Sequence, residues 1–162
     1  MEFMKIMKKG LFSILVLFAS SFMFAQSAKF IDDTLNTAKV TLGQVCFLSA
    51  NTLELINATS SETDAYNALY EHGIVHKGNI DDPVNFAQVS SIFAKTWNVK
   101  GGLFMRLTNR SPRYSYKFFK AYNLLPSYVD PQTIPNGVQL LNFYTRCDDL
   151  YGVKNESLGE NE

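Results

Sequence analysis

Apolar positions along this chain recur at the spacing of helices, and the breaks between them carry helix start and stop residues. From Ala38 to Ile56 the apolar residues Val40, Leu42, Val45, Leu48, Leu53 and Ile56 fall at mixed helical intervals, with Gly43 inside the pattern. One or two helices are expected there. A polar break from Asn57 to Thr63 follows, and Ser61 with Asp64 three residues later has the spacing of a capping box. The next helix is expected from Thr63 to His72, with Ala65, Ala68 and Leu69 on one face. Gly73 stands where a left-handed C-terminal cap is needed, and Ile74 and Val75 can then tuck under the helix end.

Asp82-Pro83 predicts a turn, and Asn85 with Gln88 predicts a capped helix reaching about Trp97. Its inner face would be Val89, Ile92, Phe93 and Thr96, and Gly101-Gly102 would end the unit. The same order then returns. Tyr114 to Tyr122 has helical character, Asn123 takes the place of Gly73, and Leu124-Leu125 that of Ile74-Val75. Asp130-Pro131 echoes Asp82-Pro83, Asn136 echoes Asn85, and Val138 to Leu150 is amphipathic. The offset of about 50 residues is on the scale of a structural repeat.

The fold expected is therefore all-α: a single helical domain over 28–152 with five or six helices. It contains two degenerate helix-loop-helix repeats, about 63–102 and 113–152, behind a short N-terminal helical segment. A polar tail would occupy 153–162. With 162 residues, 46% hydrophobic and 19% charged, the chain is long enough for one core and short for two.

The first 27 residues change the expected location. Lys5, Lys8 and Lys9 precede the apolar run Leu11 to Phe24, which leads into Ala25-Gln26-Ser27-Ala28, the order of a secretory signal peptide over 1–27. A run of about 14 apolar residues spans only about 21 Å as a helix, short of the ~30 Å hydrocarbon core. Export to the periplasm or cell envelope, with no membrane span after cleavage, is the expectation. The remainder carries 12 basic and 14 acidic residues. Such a balance lacks the basic surplus of a nucleic-acid binder.

Export also bears on Cys46 and Cys147. An oxidising compartment permits a disulfide between them, closing a loop of about a hundred residues. Two buried thiols on apolar helix faces are the other arrangement.

The order helix, Gly-Ile, loop, helix in the stretches Tyr66 to Trp97 and Tyr116 to Arg146 resembles the S-layer homology module. Where that family carries a Thr-Arg-Ala-Glu type signature, this chain has Val84-Asn85-Phe86-Ala87-Gln88 and Pro135-Asn136-Gly137-Val138-Gln139. The segment Gly101 to Leu107 and then Pro112 to Tyr116 is similar to uncharacterised periplasmic proteins of double-membrane bacteria. These resemblances imply an envelope location and contact with a cell-wall polymer.

Three groups of residues bear on chemistry. Arg106, Arg110 and Arg113, followed by Tyr114 and Tyr116, offer guanidinium forks for carboxylate or phosphate and rings for sugars or peptides. They make a binding edge for an anionic envelope polymer or an acidic protein face, or else a solvated loop before a helix whose tyrosines fill the core. His72 and His76, with Asp81 and Asp82, have a four-residue spacing that suits a metal only on an unbroken helix, which Gly73 interrupts. Asp32-Asp33, Asp81-Asp82 and Asp148-Asp149 are adjacent pairs that do not face one another on a helix. No Gly-x-Ser-x-Gly elbow or glycine-rich phosphate loop occurs. The function expected is non-catalytic binding or scaffolding through an envelope protein or a cell-wall polymer, without cofactor or metal and with oligomerisation open. The alternative is a small secreted hydrolase with a histidine-containing site.

Overall fold

A computed structural model describes residues 28–57 and 59–152; the segments read as signal peptide (1–27) and polar tail (153–162) lie outside the described residues. Within them the chain is all-α. Seven helices follow in order: α1 (28–35), α2 (Leu42–Thr52), α3 (Glu62–Glu71), α4 (Phe86–Thr96), α5 (Leu103–Leu107), α6 (Pro112–Ala121) and α7 (Gly137–Tyr151). The count exceeds the five or six expected because α1 and α5 both form where no helix was anticipated, while the stretch from Ala38 to Ile56 holds one helix.

Local chemistry explains most boundaries. Thr41, Ser61, Asn85 and Asn136 each accept a hydrogen bond from the amide three residues on, while Gln44, Asp64, Gln88 and Gln139 bond back to the cap. These are complete capping boxes, each satisfying otherwise orphaned N–H groups. Pro112 opens α6, where a missing N–H costs nothing. Of the stretch from Ala38 to Ile56, where one or two helices were expected, one helix forms over Leu42–Thr52, begun by the Thr41 cap.

The ends of α3 and α6 are built alike. Gly73 (φ 68°) and Asn123 (φ 58°) are left-handed, donating to Tyr70 and Lys120 carbonyls. The amides of Ile74 and Leu124 each reach back 2.9 Å, to Leu69 and Phe119 respectively. Reversal of the chain there satisfies carbonyls that the helix leaves open.

Three loops then hold three helix starts. The 72–85 loop caps α2, with Leu42 N–H donating to Asp82 O (2.9 Å) and Gly43 N–H to Ile80 O (2.8 Å). The 122–136 loop caps α4, through Phe86 N–H to Thr133 O (3.0 Å) and Ala87 N–H to Pro131 O (3.1 Å). The 36–41 loop caps α7, where Gly137 N–H meets Thr37 O at 2.9 Å. Each loop also leads into the next capped helix, so the three close into a ring. At its centre are the residues just before three of the caps: Val84 N–H donates to Val40 O (3.1 Å), and Val40 N–H to Pro135 O (2.9 Å). Pro135 has no N–H with which to complete the set.

Helix α2 packs on α3, α4 on α6, and α2 on α4. Phe93, Phe119 and Phe143 are fully buried at the centre. Phe143 lies 5.2 Å from Phe93 and 5.1 Å from Phe119 between ring centroids, and Trp97 meets Phe93 edge-on at 5.3 Å. Such tilted and edge-to-face pairs suit the aromatic quadrupole. The inner face expected for α4 is buried throughout, at Val89, Ile92, Phe93 and Thr96.

Cys46 on α2 and Cys147 on α7 are both free thiols, each buried. The bridge considered from sequence is thus not formed in this structure, and the arrangement of two buried thiols is the one present. Burial, aided by the Glu62 carboxylate, pushes the Cys46 thiol up to about 12. Burial likewise raises that of Cys147, with Asp148 adding to it.

Candidate functional site

The arginine cluster divides into parts with different work. Arg110 sits in the left-handed region (φ 56°) at the turn between α5 and α6. Its Nε donates to Val99 O (3.2 Å) and its guanidinium to the Asn98 side chain. Its carbonyl accepts the hydroxyls of Ser91 (2.6 Å) and Ser115 (2.9 Å). Arg110 therefore ties α4, α5 and α6 together, and its fork is already occupied. Tyr116 is buried, with its hydroxyl donating to Val129 O, so it belongs to the core.

Arg106, Arg113 and Tyr114 remain outward. Arg106 and Arg113 are exposed, and Arg106 shares a depression of about 400 Å³ with Lys100, Asn98 and Arg110. Tyr114 is half-buried and stacks on Phe104, with 5.7 Å between centroids and 13° between planes. Of the five residues proposed from sequence, the structure leaves three available for contact and gives two a supporting role.

A groove of about 470 Å³ lies on the other side of the 108–112 turn, and sequence reasoning did not find it. Leu42, Ile74, Val75, Val84 and Ile92 give it an apolar lining, to which His76, Lys77, Asp82, Gln88, Ser91 and Lys95 add polar groups. Its parts come from five separated stretches of chain, so no local motif signals it. Lys95 is half-buried, and its ammonium donates to Ile74 O at 2.9 Å. Burial, with the Arg110 guanidinium adding to it, holds this amine below the usual lysine range. The bond is to a neutral carbonyl, so although Asp82 also lines the groove, a partly desolvated cation in that position gains from an anion that reaches it.

No family model, curated protein or solved structure matches the chain. The chemistry of the groove and edge therefore rests on the residues themselves.

Their charges are sharply segregated. From Pro83 to Val129 the sequence contains no Asp or Glu and seven Lys or Arg, whereas the eleven acidic residues of 28–152 fall between 32 and 82 or between 130 and 149. The zero net charge conceals a basic stretch of chain that contains α4 to α6, with Asp82 at its edge in the groove lining. The signal was present in the sequence as an acid-free window, which counting charges over the whole chain erases.

His72 caps α3 and is exposed, its Nδ1 2.8 Å from Ala68 O, whereas His76 is exposed at the groove rim. The Ser91 hydroxyl in the groove is committed to Arg110 O, not to either histidine. Among the described residues, no helix is long and apolar enough to cross a membrane and no group of three or more metal-ligating side chains assembles.

Proposed function

We propose that this chain is a non-catalytic binding or scaffolding protein of the cell envelope, which holds an anionic envelope polymer in the groove beside Lys95. The observation that carries the reading is the half-buried Lys95 ammonium in an apolar-walled groove, where Lys77 and a single carboxylate residue, Asp82, also line the walls and where Pro83 begins a run of 47 residues without Asp or Glu. Cations placed this way select carboxylate- or phosphate-bearing ligands. Gln88, whose side-chain oxygen accepts from the Asn85 backbone amide, offers its side-chain NH2 as a neutral donor suited to sugar hydroxyls. Export on the 1–27 segment and the resemblance to S-layer homology modules favour a wall polymer over a soluble metabolite. The absence of the Thr-Arg-Ala-Glu type signature means that Lys95 and Lys77 would supply the charge that the family draws from elsewhere.

Pelleting with purified wall polymer tests this directly. Wild-type protein should sediment with the polymer, and Lys77→Gln with Lys95→Gln should weaken sedimentation at least tenfold while leaving the far-UV CD spectrum unchanged. Equal sedimentation of the double variant would overturn the groove as the site. Capture of one envelope protein, with no polymer bound, would move the reading to a protein scaffold. Ester or peptide hydrolysis that disappears in His76→Ala would replace it with the hydrolase.

A further inference from the structure

We infer that α5 docks the protein onto an anionic lipid surface. Leu103, Phe104 and Leu107 are 67%, 63% and 72% exposed, a density of outward apolar side chains unusual for five consecutive residues of a folded chain. At 100° per residue these three share one face of the helix, while Met105 points the opposite way and is buried, anchoring α5 to the body. Arg106 borders the apolar face, Lys100 lies in the same depression, and Arg113 sits at the start of α6, against which α5 packs. Tyr114, stacked on Phe104, adds an amphipathic ring of the kind found at membrane interfaces.

Charge identifies the occupant. An apolar tip rimmed by cations matches the depth profile of a bilayer bearing anionic headgroups, with hydrocarbon below and phosphate above. The acidic residues of 32–82 and 130–149 lie outside the α4–α6 region, so an anionic surface would attract this side and repel the rest. A protein partner would receive such side chains in a matched apolar recess without needing the cations beside them, whereas an anionic bilayer uses both. The surface is distinct from the groove, so the pelleting test and the following one fail independently.

The test uses the full chain with Leu107→Cys carrying an environment-sensitive fluorophore, and the same probe at Tyr128→Cys, an 81% exposed position off this helix, as control. Cys46 and Cys147 are buried and leave labelling to the introduced thiol. Vesicles of phosphatidylglycerol should shift the position-107 emission to the blue and leave position 128 nearly unchanged. Vesicles of phosphatidylcholine, or high salt, should give little shift at either. Charge removal at Lys100, Arg106 and Arg113 should weaken binding about fivefold per cation, following roughly 1 kcal/mol for each. No shift at 107, or equal shifts at 107 and 128, would overturn the inference. So would a shift that grows with protein concentration in the absence of vesicles, because a second copy would then cover the face.

Discussion

Replacing Gly137 by alanine sets two physical effects against each other. Alanine is favoured over glycine within a helix by about 1 kcal/mol, so helix propensity alone predicts a more stable protein. The structure predicts the reverse. Gly137 is the first residue of α7, and a Cβ there would collide with the Thr34 carbonyl oxygen and come within 2.6 Å of its carbonyl carbon. These are backbone atoms, which cannot swing away as a side-chain tip can. Overpacking costs about 1–3 kcal/mol. Relieving it by lifting the α1 loop would weaken two bonds, Gly137 N–H to Thr37 O and Val40 N–H to Pro135 O, at about 1 kcal/mol each. Either route costs about 2–3 kcal/mol, so after the propensity gain a net loss of about 1–2 kcal/mol remains, or a melting temperature lower by about 2–8 °C for a chain of this size. Thermal unfolding followed by CD measures it, with Gly102→Ala as control. Gly102 has nothing within 4 Å of the added atom and an ordinary φ of −64°, so that variant should stay within about 0.5 kcal/mol of wild type. If Gly137→Ala melts at or above the wild-type temperature, the α1 loop is not seated on α7 as described.

Other consequences follow from the site and the core. Arg110→Ala should cost about 2 kcal/mol, because it frees the Val99 carbonyl and the Asn98 side chain, whereas Arg106→Ala with Arg113→Ala should leave urea unfolding nearly unchanged. Equal stability of the two would contradict the assignment of a supporting role to Arg110. Since Cys46 and Cys147 are free, melting should be the same with and without reductant, and iodoacetamide should modify neither thiol until the protein unfolds; a reductant-sensitive melt would reveal a bridge. Glu62 is half-buried, and burial, with the Asp81 carboxylate adding to it, raises its pKa. A raised carboxylate binds its proton more tightly in the folded state, so its contribution is most favourable at acid pH and declines as pH rises through the folded pKa. Glu62→Gln should therefore be the more stable protein at neutral pH, with the gap closing in acid, and a gap that widens in acid would contradict the sign.

What could be read from the sequence was local. The boxes at Ser61, Asn85 and Asn136, and the left-handed residues Gly73 and Asn123, depend on neighbours three or four positions away, and each is where the pattern placed it. Thr41 escaped notice because apolar residues on both sides of it blurred the start of α2. Helix α5 escaped because five residues carry little periodicity, and it is held by Met105 reaching into the body. The same distinction governs the site. Three arginines within eight residues are easily seen, but which of them faces water depends on Asn98, Val99 and Ser91, whose approach to Arg110 is tertiary. The groove is non-local throughout, so only the folded chain discloses it.

The ring of loops also sets an order of events during synthesis. Residues 34–40 receive their partners from 135–137, about a hundred residues downstream, so this latch needs a long loop closure that cannot occur before α7 has been made. A nascent chain that has not yet produced α7 can pair α3 with α2 and α6 with α4. It still leaves α1 and the Val40 amide unlatched. Helix α7 acts as the bolt of the assembly, and any truncation upstream of Asn136 should yield a chain that has its helices but cannot lock.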